Sequence, residues 1–291
     1  MDALRWHYRP QLREPMMIAA FEGWTDAGGS ASGAVSYLAK RWGGEEFADI
    51  DAEEFYDFTA LRPQVRLRGE GSREIVWPRN RFLAATVPGA RDVVIMVGTE
   101  PHLRWRTFSE CVTRVAREVG VQAVFTLGSM LTDVAHTRAV PVRGSSADPA
   151  LAGRLGLSPP QYQGPTGIVG VLQDAFGKVP IPVGSLMAQV PHYIPGTPSP
   201  KATLAMVEKV CDLLATHVAT EDLQRAATAY VSQVDEVVGA DEEMAAYVRE
   251  LERRSDQAAV APGLGSLGDL PSGEALAAQL EQFLREQDDS S

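Results

Sequence analysis

The chain contains 291 residues, with a net charge of −11 and only two cysteines, Cys111 and Cys211. The length predicts one α/β domain with an appendage, and the cysteine count argues against a disulfide framework or a cysteine zinc site. From Ala219 onward, sixteen acidic residues stand against five arginines, so a neutral body carries an acidic C-terminal part. Because phosphate contacts need clustered Lys and Arg, this distribution argues against nucleic acid as a partner.

The first 15 residues contain no hydrophobic signal region, and no apolar run approaches the ~20 residues that a membrane helix needs. We therefore expect a cytoplasmic protein that does not associate with membranes. No H-x-x-x-H or H-E-x-x-H pair occurs. Neither a metal nor another cofactor is therefore expected.

Strands and helices alternate from Met16 onward, and several predicted strands are apolar throughout rather than at every second residue. Such strands are typical of a parallel sheet that is buried on both faces. The predicted strands are 16–21, 93–98, 123–129 and 182–190, and the predicted helices are 30–42, 103–119, 166–176 and one that follows Ser199. Ser30 and Ser199 are the expected N-caps of their helices. This order predicts an α/β protein with a three-layer α/β/α core over residues 1–218.

Residues 64–77, "QVRLRGEGSREIVW", interrupt this alternation. Two alternating runs flank a Gly69-Glu70-Gly71-Ser72 turn, which predicts an inserted β-hairpin. A two-stranded ribbon is marginally stable alone in water. The hairpin should therefore pack on its own sheet or on a neighbouring subunit, and we expect it to mediate self-association into a closed homo-oligomer.

Beyond the body, residues 219–255 form a predicted helical subdomain with segments 221–238 and 241–254. The apolar positions of each segment form one face, so the pair is expected to pack back on the body. It would act there as a lid over the strand-end cleft or as a structural brace elsewhere. Residues 256–291 are predicted to comprise a flexible linker, 256–273, followed by a terminal amphipathic helix.

Ligands of open α/β sheets collect at the carboxyl ends of the strands. Polar residues follow four of the predicted strands at that edge, in the stretches that begin at Glu22, Gly98, Gly128 and Gln189. The residues predicted to bind a ligand are Gly23, Trp24, Thr25, Gly28, Gly29, Thr99, Ser129 and Thr166.

The loop "FEGWTDAGGSASG", residues 21–33, lies where many α/β proteins hold a phosphate. It lacks the Gly-Lys-Ser/Thr of a P-loop and the G-x-G-x-x-G spacing of a dinucleotide-binding turn. Glu22 and Asp26 would also repel a phosphate. The glycines are explained as well by a sharp turn from strand to helix.

His102 and His192 each follow a proline just past a strand. Either would serve as a general base if Asp26 or Glu100 oriented it, because that chemistry needs a group titrating near neutral pH beside a carboxylate. The alternative is a loop histidine that hydrogen-bonds to backbone. Asp26, Glu100, His102 and His192 are thus the catalytic candidates, whereas Ser129 does not lie in a G-x-S-x-G nucleophile elbow.

Four stretches carry a family resemblance: "FEGWTDAGGSASGAV", "GTEPHLRW", "GPTGIVGVL" and "QVPHYIPGTPSPKATLAM". In this order they resemble the actinobacterial branch of the proteasome assembly chaperone family, over about residues 16–254. The resemblance implies an α/β/α fold similar to that of phosphorylases and hydrolases such as purine nucleoside phosphorylase. It also implies a homo-oligomer, with a trimer favoured, and proteasome subunits as partners.

One departure from the family concerns the C-terminus. Family chaperones often dock on proteasome rings through a C-terminal hydrophobic-Tyr-any tail. The sequence ends in "REQDDSS", with no aromatic residue in its last eight positions. Ring docking by the tail is therefore in doubt.

Two classes of function follow. The first is an assembly-chaperone-like binding protein, which the resemblance and the lack of a strong catalytic motif favour. The second is a hydrolase or phosphorylase that acts on a small molecule at the strand-end rim. Histidines within hydrogen-bond reach of Asp26 or Glu100 would favour the enzyme, and separated side chains would favour the binding protein.

Overall fold

The computed structural model describes residues 3–69 and 72–260. Its strands are β1 (Leu4–Trp6), β2 (Met16–Glu22), β3 (Glu45–Ile50), β4 (Gln64–Arg68), β5 (Ser72–Val76), β6 (Asn80–Ala85), β7 (Val93–Thr99), β8 (Ala123–Thr132), β9 (Val142–Ser146) and β10 (Val183–Pro191). Its helices are α1 (Ser30–Arg41), α2 (Trp105–Glu118), α3 (Pro149–Leu155), α4 (Ile168–Phe176), α5 (Pro200–Leu213), α6 (Glu221–Gly239) and α7 (Glu242–Val260). A short 3-10 turn, Ala27–Gly29, precedes α1.

Eight of these strands form one mixed sheet in the order β1-β3-β6-β7-β2-β8-β10-β9. The central strands β7, β2, β8 and β10 are parallel, and Ile18 of β2 lies opposite Ile95 of β7 and Phe125 of β8. On one side β6, β3 and β1 follow, each antiparallel to its neighbour, and β9 adds an antiparallel edge on the other side.

Helices cover both faces of this sheet. Along β2, Met17, Ala19 and Phe21 belong to the core with α2 and α4, whereas Ile18 and Ala20 belong to the core with α1 and α5. Both sets of side chains are buried, which explains why this strand is apolar at every position. The predicted three-layer α/β/α core is confirmed.

The carboxyl ends of β2, β7, β8 and β10 share one edge of the sheet because these strands are parallel. β3 also ends there, since it is related to β7 by two antiparallel steps through β6. The chain between β3 and β6 therefore leaves and re-enters the sheet at this edge. It carries the predicted hairpin, β4 paired antiparallel with β5, as a separate two-stranded sheet.

Sequence patterning missed β1, β3, β6, β9 and α3. Within the part of the chain that is described, β9, "VRGSS", is an edge strand that pairs in the sheet only with β10, so it needs no continuous apolar run. The prediction that Ser30 is an N-cap was wrong, because Ser30 is the first residue of α1 and its hydroxyl donates to the carbonyl of Ala27 at 2.9 Å. Ser199 does cap α5, accepting from the amide of Ala202.

The two C-terminal helices pack on the body rather than extending from it. Their buried side chains form a third apolar cluster with Ala135, which lies in the loop after β8. Its α6 and α7 members are Tyr230, Val234, Val238, Val248 and Leu251. α7 continues to Val260, so residues 256–260 are helical rather than part of a linker. The rest of the predicted linker and the predicted terminal helix lie outside the described residues.

Among the residues that the model describes, no helix has both the length and the apolar character needed to cross a membrane.

Candidate functional site

Glu100 joins two loops at the centre of the carboxyl edge. It follows β7, and its Oε2 atom accepts a hydrogen bond from the amide of Trp24 at 3.1 Å, just beyond β2. Its Oε1 atom accepts from the amide of Ile168, the first residue of α4, at 2.7 Å. A carboxylate at a helix N-terminus also complements the helix dipole. One side chain thus fixes both the loop after β2 and the start of α4.

This close approach depends on a glycine. Gly23 has a φ of 144°, and a Cβ at this position would lie 2.9 Å from the Cβ of Glu100. The side chain of the next residue, Trp24, is 63% exposed. A Cβ on Gly167 would lie 3.3 Å from its ring. An exposed indole held on fixed backbone is suited to contact another macromolecule, because aromatic side chains are enriched at protein interfaces.

Asp26 is engaged within the chain. Its Oδ1 atom accepts from the amides of Ala31 at 2.8 Å and Ser32 at 3.2 Å, and its Oδ2 atom accepts from the hydroxyl of Ser32. The carboxylate therefore caps α1 from four residues before the helix begins. The free amides that a phosphate would use at a helix N-terminus are occupied by this side chain, which agrees with the absence of a P-loop motif.

Ser129 fastens the same loop to β8. Its amide donates to the carbonyl of Thr25 at 2.8 Å, and its hydroxyl donates to the carbonyl of Ala27 at 2.9 Å. The side chain is buried. Both of its polar groups hold the loop after β2, so its observed contacts are structural.

A cavity of about 520 Å³ lies between the starts of α1, α5 and α6. Its lining residues are Asp26, Gly28, Gly29, Gly196, Pro198, Ser199, Pro200, Thr203 and Leu223. The turn before α1 is hydrogen-bonded to the start of α5, because the carbonyl of Gly28 accepts from the amide of Ser199 at 2.9 Å. A second cleft of about 730 Å³ lies at the other end of the strands, at the amino end of β10 and next to the end of α4.

His102 is bound to the loop that leads towards the hairpin. Its Nδ1 atom accepts from the amide of Asp57 at 3.1 Å, and its own amide donates to the carbonyl of Phe55. Its ring lies edge-on to Tyr56, with centroids 5.7 Å apart. The Tyr56 hydroxyl donates to the carbonyl of Thr99 at 2.5 Å, and burial raises the pKa of Tyr56. His102 therefore matches the alternative of a loop histidine bonded to backbone.

His192 belongs to a different group of side chains. Its Nδ1 atom lies 3.2 Å from Oδ1 of Asp133. Its ring contacts Tyr193 and, from α7, Tyr247 at centroid distances of 5.8 Å and 5.6 Å. The pair His192–Asp133 is exposed, and α7 covers one side of it.

The predicted site residues therefore separate into groups. Within the described residues, neither His102 nor His192 forms a hydrogen bond or ion pair with Asp26 or Glu100, since each has the other partners described above. Trp24, Thr25 and Glu100 surround Gly167. Gly28 and Gly29 line the cavity with Asp26, Thr99 contributes its carbonyl to Tyr56, and Thr166 is exposed before α4.

Sequence reasoning missed a buried histidine near this edge, His136. The amide of His136 donates to the Tyr193 hydroxyl at 2.8 Å, and the same hydroxyl lies 2.7 Å from Nδ1. Its Nε2 atom lies 2.9 Å from Oδ1 of Asp235 on α6. Lys201 donates to the carbonyls of His136 and Arg138; burial and then the charge of Arg138 lower the pKa of Lys201. No linear motif surrounds His136.

A further polar cluster lies where β1 meets β3. His7, Glu46 and Asp49 bring one ligand atom each within 4.8 Å of one another. Arg5 binds Asp49 at 2.6 Å, and Arg79 contacts both carboxylates. A metal ion would have to displace these guanidinium groups. The expectation of no metal site stays a prediction.

The mixed sheet between two helical layers, with its polar groups at the strand ends, defines an α/β/α protein, and comparison with known proteins identifies its family. The PAC2 family model matches residues 20–238. The chain belongs to the PAC2 family. No curated protein matches it.

Solved structures agree with this assignment. A PAC2 family protein from Streptomyces avermitilis is 45% identical with a TM-score of 0.75, and covers 80% of this chain and 99% of its own. A proteasome-assembly chaperone homologue from Mycobacterium tuberculosis is 42% identical with a TM-score of 0.73, over the same shares. Both sources are consistent with the actinobacterial branch. PbaB from Pyrococcus furiosus, 17% identical with a TM-score of 0.66, covers 81% of this chain and 99% of its own and shares the fold.

Proposed function

We propose that this PAC2 family protein is a binding or assembly protein that contacts its partner through the carboxyl edge of the sheet around Trp24. The observation that carries the proposal is the 63% exposure of Trp24 on a backbone that Glu100 fixes through the Trp24 amide. A large aromatic side chain on a fixed loop loses little conformational entropy when a partner covers it.

The alternative, a small-molecule hydrolase or phosphorylase, has less support. General acid-base catalysis needs a base within about 2.6–3.2 Å of its partner or of the proton that it removes. Among the described residues, the four catalytic candidates form no histidine–carboxylate pair with one another. Asp26 and Glu100 instead accept hydrogen bonds from backbone amides, which stabilises the loops and helix starts around them.

Proteasome subunits are the partners that we propose, since a relative 42% identical over 80% of this chain is described as a proteasome-assembly chaperone homologue. In this proposal the protein acts in the cytoplasm as a homo-oligomer, and a trimer is expected. Light scattering on the full chain gives the oligomer mass, and a mass of one chain would contradict that part of the proposal.

The test compares Trp24→Ala with Tyr8→Ala, a control in which an exposed aromatic residue outside the carboxyl edge is removed. Binding of purified proteasome subunits to the immobilised full chain is measured by interferometry. Loss of a hot-spot aromatic costs about 2 kcal/mol or more, so we expect Trp24→Ala to weaken binding about 30-fold and Tyr8→Ala to leave it unchanged. Equal affinities for the two variants, or no binding by the unaltered chain, would overturn the proposal.

The enzyme alternative is tested on the same protein with ester and nucleoside substrates. We expect no rapid turnover. Turnover that is lost in both His192→Ala and Asp26→Asn would reverse the ranking of the two functions.

A further inference from the structure

The hairpin β4–β5 presents an exposed apolar face. Its antiparallel register places Val65 opposite Ile75 and Leu67 opposite Arg73, so these side chains point to the same side. Trp77 continues the face beyond β5. All four apolar members are exposed, and Leu67 is 75% exposed. We call Val65, Leu67, Arg73, Ile75 and Trp77 the hairpin face.

This face has almost no cover from the described part of the chain. Among the described residues, β4 and β5 pair only with each other. The ring of Trp77 contacts that of Phe58, with centroids 4.8 Å apart. A two-stranded hairpin needs a third strand or a packed helix for independent stability. The hairpin face is therefore expected to bury its apolar side chains against another segment.

Charge restricts what that segment can be. Residues 62–79 contain five arginines and two glutamates. Arg68 pairs with Glu74, whereas Arg73, in the middle of the hairpin face, has no carboxylate partner among the described residues. Two hairpin faces that met about a two-fold axis would oppose Arg73 to Arg73, so like-charge repulsion disfavours self-association through paired hairpins. The fitting occupant is an apolar segment that also carries acidic groups.

The same chain contains such a segment beyond the described residues. In "EALAAQLEQFLREQ", residues 274–287, helical spacing places Leu276, Leu280, Phe283 and Leu284 on one side. Three glutamates accompany them against one arginine. We propose that residues 274–287 dock on the hairpin face of their own chain through these apolar side chains.

The connection is long enough for this arrangement. α7 is anchored near the end of β8, where Arg138 binds Asp256 at 2.7 Å. β8 and β6 are three positions apart in the sheet, which corresponds to about 14 Å. The hairpin directly precedes β6 in the chain, and each of its strands is about 17 Å long. Residues 261–273 span up to about 43 Å when extended. The segment therefore reaches the hairpin face without leaving its own subunit.

Hydrogen exchange on the full chain tests the proposal. Phe283→Glu places a charge on the apolar side of the segment, and Gln282→Glu places the same charge on its other side as the matched control. We expect amides in β4 and β5 to exchange about fivefold faster in Phe283→Glu, because the cover that suppresses local opening is lost, and to be unchanged in Gln282→Glu. Equal exchange in the two variants would overturn the proposal.

A cross-link decides which chain supplies the cover. The full chain with Leu67→Cys and Leu280→Cys is oxidised; its native thiols, Cys111 and Cys211, are buried. We expect a disulfide within one chain, seen as a faster-migrating single-chain band in non-reducing electrophoresis. A two-chain product would assign the hairpin face to a second copy, and that result, or no product, would refute the proposal.

Discussion

The Nε2 atom of His136 lies 2.9 Å from Oδ1 of Asp235, between residues 99 positions apart in sequence. The hydroxyl of Tyr193 accepts a hydrogen bond from the amide of His136. Its own proton is therefore free to donate to Nδ1, and the proton of the imidazole then lies on Nε2, facing Asp235. The His136 side chain is 1% exposed. This bond ties α6 to the loop after β8 and joins a buried imidazole to a carboxylate that is 55% exposed.

Replacement of Asp235 by Ala removes the protein acceptor of the Nε2 proton of His136. We expect the free energy of unfolding to fall by about 1 kcal/mol, the usual net contribution of one hydrogen bond. Glu236→Ala, one position further along the same helix, is the control and should change it by less than about 0.5 kcal/mol. Urea unfolding measures both, and similar losses would mean that the bond to His136 contributes nothing specific.

Tyr193 makes the docking of these helices sensitive to high pH. Burial raises the pKa of Tyr193 to about 12, above the value of about 10 for an unfolded chain. The neutral hydroxyl is therefore favoured in the folded state, and its stabilisation is complete below pH 10 and is lost as the pH rises towards 12. We expect the stability advantage of the unaltered chain over Tyr193→Phe to shrink across that range. An advantage that is constant from pH 9 to 12 would refute this linkage.

Glu100 is expected to stabilise the site rather than react within it. Glu100→Ala removes the acceptor of both the Trp24 and the Ile168 amides, which should cost about 1–3 kcal/mol. Hydrogen exchange should accelerate at the start of α4. Glu100→Gln should lie between, because a single amide oxygen replaces two carboxylate oxygens. Glu110→Ala, exposed on α2, is the control, and an equal effect there would argue against the bridge.

Gly28 and Gly29 provide a matched pair. Both have positive φ, 62° and 59°, but a Cβ on Gly28 would lie 2.9 Å from the Cβ of Ser199. A Cβ on Gly29 would have no neighbour within 4 Å among the described residues. Gly29→Ala should cost about 1 kcal/mol through backbone conformation alone. Gly28→Ala should cost about 1–3 kcal/mol more, because the start of α5 must move. Thermal unfolding compares them, and equal losses would show that the contact with α5 is unimportant.

The sequence leaves two roles open for α6 and α7, a lid over the strand-end cleft or a structural brace. Leu251→Asp disrupts their buried cluster, and Arg249→Asp introduces the same group on the exposed side of α7. A lid predicts faster hydrogen exchange in residues 22–29 and 189–193 for Leu251→Asp only. If residues 22–29 keep their protection, the helices are a brace.

Elements buried on both faces were predictable because each of their residues contributes to a core. The strand at residues 16–21 is the example: Met17 and Ile18 point to opposite layers and both are apolar. Strand β9 lies at an edge and carries no such pattern. The role of Asp26 depends on helix amides five and six positions later, and that of His136 on a residue of α6. Sequence patterning therefore located the edge of the sheet but not the partners of its side chains.

The carboxylate of Asp26 has one further consequence. Because it accepts hydrogen bonds from the amides of Ala31 and Ser32, the anion-binding amides of the first turn of α1 are already occupied by a carboxylate of the same chain. Asp26→Gly would free these amides, so inorganic phosphate added at millimolar concentration should bind them and restore part of the lost stability. The Asp26 side chain thus makes the stability of this helix terminus independent of the anions in solution.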